Sequence, residues 1–154
     1  MPRGYSNGVL APYGRRLLAV AGQIGWLPNA TMVTPIDGED AFVAQFRQAL
    51  HNVATIVHTA GGEPTDVRSL GLYVTDKRRY IAATRELGRI YREVFGKHYP
   101  AMALIVVAGL LEDTALLEIE AARLARAGQP AACAATFAEA AKVQLGMAST
   151  SNLS

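Results

Sequence analysis

Hydrophobic residues in the first half of the chain recur with the period of a helix. Between Asp40 and Gly61-Gly62 they fall at steps of three and four residues, which places them on one helix face. Asp40 is a suitable N-cap, and the glycine pair is a typical stop signal. The pattern predicts a first amphipathic helix whose apolar positions are Phe42, Phe46, Leu50, Val53 and Val57.

A second helix is predicted after Thr75-Asp76, which can cap its start. Gly96 ends this helix, and Pro100 prevents it from resuming. Its expected apolar stripe is Ile81, Thr84, Leu87, Tyr91 and Val94.

Short apolar runs bounded by turn residues predict the strands. In the run Val67–Thr75, the side chains of Leu70, Leu72 and Val74 should share one face. The other predicted strands end at Val9-Leu10 or cover Leu17–Ala21, Thr31–Val33, Ala103–Leu110 and Ala115–Leu124. The element order is therefore β-β-β-α-β-α-β-β, an α+β fold with a mixed sheet and two helices on one of its faces.

One predicted strand indicates an oligomer. The stretch "MALIVVAGL", which begins at Met102, is apolar at both odd and even positions. Such a strand is stable when both faces are buried, whereas two helices cover only one face of a sheet. A second copy of the same sheet is the simplest cover, so we expect a homo-oligomer.

Composition narrows the class of protein. The chain has 154 residues, of which 51% are hydrophobic, and this composition favours a folded protein. Its formal net charge is only +2 and its basic residues are scattered, which argues against a nucleic-acid partner. The single cysteine, Cys133, allows no internal disulfide, and no apolar run approaches the length of a membrane span. A cytoplasmic location without membrane association is the default expectation. We expect one domain over residues 1–125 and an Ala/Ser-rich tail over 126–154, with a possible short helix.

The polar residues within the predicted elements give few candidates for chemistry. Glu118 and Glu120 are two apart on one strand, so their side chains share a face and lie about 7 Å apart. That separation is compatible with general acid–base catalysis. The same two residues are also compatible with ion pairs to arginine side chains or with exposure to solvent on an edge strand. His51 and His58 would lie about 10 Å apart along a helix, too far to share a metal ion.

Six stretches, in this order, resemble the Rid (reactive intermediate deaminase) family, also called the YjgF family. They are "GYSNGV", "AGQIGW", "QFRQALHNVATIVHTAGG", "VTDKRRYIAATRELGRIYREVF", "YPAMALIVVAGL" and "LLEIEAARL", and together they span roughly Pro2 to Leu124. The resemblance implies a chorismate-mutase-like fold and a homotrimer with a barrel-like core and three clefts between subunits. It also implies hydrolysis of 2-aminoacrylate and related enamines or imines to keto acids and ammonia, without metal or organic cofactor.

The resemblance also implies particular site residues. Glu118 corresponds to the glutamate that positions the attacking water, Tyr5 to a substrate-binding tyrosine, and Gly22 and Gln23 to a turn that lines the cleft. Met102, followed by Ala103, stands where active members have an arginine that grips the substrate carboxylate.

Methionine at position 102 changes the expected substrate. It carries no charge and donates no hydrogen bond, so it cannot replace a bidentate guanidinium contact. Classical 2-aminoacrylate deaminase activity is therefore doubtful, and a less acidic, more apolar ligand is favoured. An alternative is a metabolite-binding or chaperone-like homologue without catalysis. A cation from Arg3, Arg15 or Arg16 is a further hypothesis.

Overall fold

The computed structural model describes residues 16–125, which form two helices packed on one side of a four-stranded sheet. The strands are β1 (Leu17–Gln23), β2 (Val67–Val74), β3 (Ala101–Val106) and β4 (Leu117–Leu124). The helices are α1 (Ala41–Thr59) and α2 (Lys77–Phe95), and a 3-10 turn at Pro64–Asp66 precedes β2. Across the sheet the order is β1-β4-β2-β3, with β2 and β3 parallel and the other pairs antiparallel.

The predicted α+β class is confirmed, but one predicted strand is absent and another is shifted: β3 covers Ala101–Val106 rather than Ala103–Leu110. Residues Thr31–Val33 do not form a strand, because Met32 makes only an isolated bridge to Trp26. The loop folds back on itself there, with Leu27 donating to the carbonyl oxygen of Thr31, and offers no edge to the sheet. The strand predicted to end at Val9-Leu10 lies outside the described residues.

Helix α1 begins where the sequence indicates. The Asp40 side chain caps it by accepting a hydrogen bond from the amide of Phe42 at 2.8 Å. The helix ends at Thr59, just before Gly61, whose positive φ of 72° lets the chain reverse. All five predicted apolar positions of α1 are at most 4% exposed, so this helix supplies much of the core.

The predicted apolar face of α2 is wrong in its first half. Ile81 is 59% exposed, while Tyr80 packs edge-on against Phe42 of α1 with ring centroids 6.5 Å apart. The buried residues further along are Leu87, Ile90, Tyr91 and Phe95. Stepping back from Leu87 by four and then three residues leads to Ala83 and Tyr80, so the true stripe lies one position from the expected one.

Strands β1, β2 and β4 each bury one face under the helices and leave the other face without a helix, whereas most of β3 is exposed on both faces. Leu70, Leu72 and Val74 of β2 are at most 4% exposed on the helix side, as predicted. Leu117 and Ile119 of β4 are at most 1% exposed on the same side. The opposite face, which we call the open face, carries mainly small side chains together with two glutamates, a tyrosine and an isoleucine: Ala19, Ser69, Gly71, Tyr73, Ala101, Ala103, Ile105, Glu118, Glu120 and Ala122.

Buried polar side chains connect the helices to the loops. Gln45 of α1 donates to the carbonyl oxygen of Thr114 at 2.9 Å and accepts from the amide of Leu116 at 2.8 Å. At the other end of the sheet, Arg123 donates to the carbonyl oxygen of Ala60 at 2.9 Å. These contacts fix the two ends of β4 against α1. Within residues 16–125, no helix is long and apolar enough to cross a membrane.

Gln45→Leu should destabilise the fold because it leaves the Thr114 carbonyl and the Leu116 amide without their partner. Two such losses in a partly buried position should lower the free energy of unfolding by about 2–4 kcal/mol. Chemical denaturation at one fixed protein concentration measures this. Arg89→Ala is the control: its ion pairs to Glu86 and Glu93 are about half exposed, and their loss should cost under about 1 kcal/mol. Equal effects of the two variants would contradict this account.

Candidate functional site

A cavity of about 470 Å³ lies at the end of β1, where the sheet meets two loops. This volume is within the range of small-molecule sites. The walls come from the end of β1 and the loop after it, from α1, from the β3–β4 loop and from β4. We call it the Trp26 cavity; its lining residues are Gly22, Gln23, Ile24, Trp26, Leu27, Ala30, Asn52, Leu110, Leu111, Glu112 and Glu118.

Glu118 reaches this cavity from the open face of β4. Its neighbours Leu117 and Ile119 face the helices, so the alternation of the strand turns Glu118 the other way. The carboxylate lies against Gly22 of β1, and a β-carbon at that position would overlap it. Glu118 is half-buried and makes no hydrogen bond or ion pair with any residue between 16 and 125. Within the described part of the chain, Glu118 is therefore a half-buried carboxylate whose oxygens are available to accept hydrogen bonds.

A bulge in β1 brings the glycine and its neighbour to the same cavity. The pairing of β1 with β4 shifts register between Val20 and Gln23, which bends the strand end toward the cavity. The Gln23 amide nitrogen donates to the carbonyl oxygens of Ala21 and Gly22 at 3.0 and 3.2 Å. The structure thus brings Gly22, Gln23 and Glu118 together, three of the six predicted site residues.

Asn52 shapes the cavity, although sequence reasoning did not select it. Its side-chain amide donates to the carbonyl oxygens of Ile24 and Trp26 at 3.1 and 2.9 Å, and its oxygen accepts from Gln48 at 2.8 Å. These bonds hold the loop after β1 on helix α1. The signal was present in the sequence: Asn52 is a polar residue next to Val53 on the apolar side of α1, and it is only 6% exposed. Such a residue requires partners.

The other two described site residues lie elsewhere. Met102 pairs with Leu70 across β2 and β3, so its side chain is on the helix side, where it packs against the edge of the core. Ala103 pairs with Gly71 and is exposed on the open face. Tyr5 lies outside the described residues, as do Arg3 and Arg15.

Met102 and Glu118 are separated within one chain. Met102 is level with Leu70 and Ala121, whereas Glu118 lies three residues further along β4, two strands away. Strand geometry puts their α-carbons about 14 Å apart, with side chains on opposite faces. The fold therefore does not bring these two residues together within one chain.

Glu120 has a partner of its own on the open face. The Tyr73 hydroxyl donates to its carboxylate at 2.7 Å, and Gly71 leaves room for the glutamate to lie across β2. The pair borders a shallow basin of about 510 Å³ that also includes Met102 and Ala103. The pKa of Tyr73 is raised above 10.0, chiefly by the hydrogen bond to Glu120. Lost hydration and the negative charges of Glu120 and Glu118 raise it further. Glu120 is thus committed to a structural contact, unlike Glu118.

The raised pKa of Tyr73 can be tested with Glu120→Gln. Because the carboxylate favours the neutral phenol, Tyr73 should ionise above pH 10.0 in the wild type and at lower pH in the variant. Any stability that this bond contributes is present below pH 10 and is lost as the pH rises through the folded-state pKa. NMR titration of the tyrosine ring carbons measures the midpoint. An unchanged midpoint in Glu120→Gln would show that the contact does not persist in solution.

Between residues 16 and 125, no group of three or more His, Cys, Asp or Glu side chains is arranged to hold a metal ion. His98, which lies before β3, is engaged in the fold: its Nε2 is 2.7 Å from the carbonyl oxygen of Val67. The candidate chemistry in the described residues therefore centres on the Trp26 cavity and Glu118.

The mixed sheet, the two helices on one face and the cavity at the sheet end define an α+β protein with a site of small-molecule size. The sequence model of a family described as endoribonuclease L-PSP matches residues 2–125. The chain belongs to this family, which is the Rid/YjgF family that the sequence motifs indicated.

Relatives and solved structures agree with this assignment. A RutC family protein of Haemophilus influenzae is 36% identical over 105 residues, which is 68% of this chain and 76% of the relative. A crystal structure of YyfB from Yersinia pestis, a Rid family protein of unknown function, is 32% identical with a TM-score of 0.68 over 79% of this chain and 87% of that one. TdcF of E. coli, crystallised with bound serine, is 25% identical with a TM-score of 0.59 over 81% and 97%.

Proposed function

We propose that this protein hydrolyses enamines or imines of small metabolites in clefts between the subunits of a homotrimer. The observation that carries the proposal is the half-buried Glu118 carboxylate at the wall of a ligand-sized cavity, to which no residue between 16 and 125 donates a hydrogen bond. Membership of the Rid/YjgF family supports the reaction class. The serine bound to TdcF supports a small-molecule ligand in this family, and we extend that to this chain.

The chemistry requires a group that orients and deprotonates water. An enamine first tautomerises to an imine; water then adds to the imine carbon, and the carbon–nitrogen bond breaks to give a carbonyl compound and ammonia. Glu118 is placed to accept the proton from water and return it to the leaving nitrogen. In the reaction that the family resemblance implies, no metal or organic cofactor takes part. We propose that Tyr5 helps to place the substrate.

A trimer is supported by the apolar surface that one chain leaves exposed. Leu104, Ile105 and Val106 of the edge strand β3 are 43%, 45% and 52% exposed, so both faces of this strand meet solvent in a single chain. Leu17 of β1 is 65% exposed at the opposite edge. Apolar strands of this kind are typically covered by another copy. The alanines and glycine of the open face would allow its close approach.

Ile105→Glu should weaken the assembly, because it places a charge in the proposed interface. Light scattering coupled to size-exclusion chromatography should give the mass of three chains for the wild type and a smaller mass for the variant. Ile81→Glu is the matched control, since Ile81 is 59% exposed on α2, away from the sheet. Circular dichroism confirms that both variants are folded. A wild-type monomer at micromolar concentration would contradict the trimer.

Met102 is proposed to set the substrate preference. In a trimer it would face the Trp26 cavity from the neighbouring subunit, where the family arginine would bind a carboxylate. Loss of a bidentate charged contact costs several kcal/mol, and each ~1.4 kcal/mol is a factor of ten in affinity. The protein should therefore turn over 2-aminoacrylate poorly. The family description as an endoribonuclease gains no support from this cavity, whose described lining has no basic side chain.

The function is tested by comparing carbonyl release from 2-aminoacrylate, generated in situ, and from an apolar imine without a carboxylate. The wild type should prefer the apolar imine, Glu118→Gln should lose at least about a hundredfold in kcat/KM, and Met102→Arg should gain on 2-aminoacrylate. Glu120→Gln, the same charge change two residues away, should remain active.

Two outcomes would contradict parts of the proposal. Rapid turnover of 2-aminoacrylate by the wild type, lost in Glu118→Ala, would overturn the role assigned to Met102. Ligand binding without hydrolysis of any imine would favour a metabolite-binding homologue.

A further inference from the structure

The Trp26 cavity has an unbalanced set of charges. Its described lining includes two carboxylates, Glu112 and Glu118, and no lysine, arginine or histidine. Glu112 is partly engaged, since one of its oxygens accepts from the hydroxyl of Thr114 at 2.8 Å. Glu118 has no such contact among residues 16–125. An anionic ligand would meet like charge here, while a cation would meet a carboxylate that no side chain of residues 16–125 neutralises.

The hydrogen-bond donors of the lining side chains also favour a cationic ligand over an anionic one. Both donor positions of the Asn52 amide are used by the carbonyl oxygens of Ile24 and Trp26. The Gln23 amide nitrogen likewise serves two carbonyl oxygens of its own strand. A carboxylate ligand needs donors, and these two amides have none left. An ammonium or protonated imine brings its own donors and needs only acceptors.

The remaining wall of the cavity is apolar and contains an aromatic ring. Trp26 is 41% exposed, and Leu111 is fully exposed beside it in the β3–β4 loop. Leu27, Ala30 and Leu110 complete this side. An indole attracts a nearby cation as well as apolar surface. The wall thus suits a ligand with a hydrophobic body and one positive charge.

We infer that the Trp26 cavity takes an apolar cation without a carboxylate: an alkyl- or arylalkylammonium ion, or the protonated imine derived from such an amine. The imine half of this statement rests on the proposed function, whereas the binding preference does not. For the imine the reaction is R₂C=NHR′⁺ + H₂O → R₂C=O + R′NH₃⁺. A carbon–oxygen bond forms, the carbon–nitrogen bond breaks, and both protons of water end on the departing nitrogen.

Three probes of similar shape and different charge test the binding preference: benzylammonium, benzyl alcohol and benzoate. Trp26 is the single tryptophan of the chain and lines the cavity, so its fluorescence reports occupancy directly. At pH 7 and low salt, benzylammonium should bind the full-length protein at least about tenfold more tightly than the other two, which corresponds to about 1.4 kcal/mol. Added salt should reduce the difference.

Glu118→Gln should remove most of this preference, and the matched variant Glu120→Gln should keep it. If Glu118→Gln does not fold, Gly22→Ala is the second variant, because its β-carbon would displace the Glu118 carboxylate without changing any charge. Equal or tighter binding of benzoate, or no fluorescence response to any probe, would overturn the inference.

The kinetic assay separates this inference from the proposed function. Preferential binding of benzylammonium without hydrolysis of its imines would leave the inference standing and sink the proposed reaction. Efficient hydrolysis of carboxylate-bearing imines, with tighter binding of benzoate, would support the proposed reaction and contradict the inference about the ligand.

Discussion

The contact between helix α1 and the sheet is the constraint on which the rest of the structure depends. Phe42, Leu50, Val53 and Val57 of α1 are at most 1% exposed, and they meet the helix-side residues of the central strands. Burial of several large side chains, each contributing about 1.5–3 kcal/mol, dominates the stability of so small a fold. It also fixes which residues can face away from the helices.

The same helix positions the candidate site through its polar residues. Gln45 binds the loop before β4, and Asn52 binds the loop after β1. These loops form two walls of the Trp26 cavity, so one rigid element holds both. Because each amide is nearly buried and satisfied, the walls should keep their geometry when no ligand is present. Core packing and site geometry are therefore coupled through single side chains.

The two glutamates of β4 show that the contacts of a side chain, rather than its type, determine its role. Glu118 and Glu120 have the same side chain, the same strand face and almost the same sequence surroundings. Glu120 is bound by the Tyr73 hydroxyl, whereas Glu118 lies over Gly22 beside the cavity. In the part of the chain that the structure describes, nothing donates a hydrogen bond to Glu118, and a carboxylate left open in this way is what water activation or cation binding requires.

The sequence by itself determined the fold class, the caps of both helices and the family, because these depend on local periodicity and local hydrogen bonds. Asp40 and Asp76 cap the helices within two or three residues of themselves, and no distant contact is needed. The phase of α2 required the tertiary structure: Tyr80 and Ile81 are both apolar enough to face the core, and only the position of Phe42 decides between them. The candidate site also required the tertiary structure, because the walls of the Trp26 cavity come from segments far apart in sequence. Alternation along β4 predicted that Glu118 and Glu120 share a face, but the separation of Met102 from Glu118 follows from strand order, which no local pattern encodes.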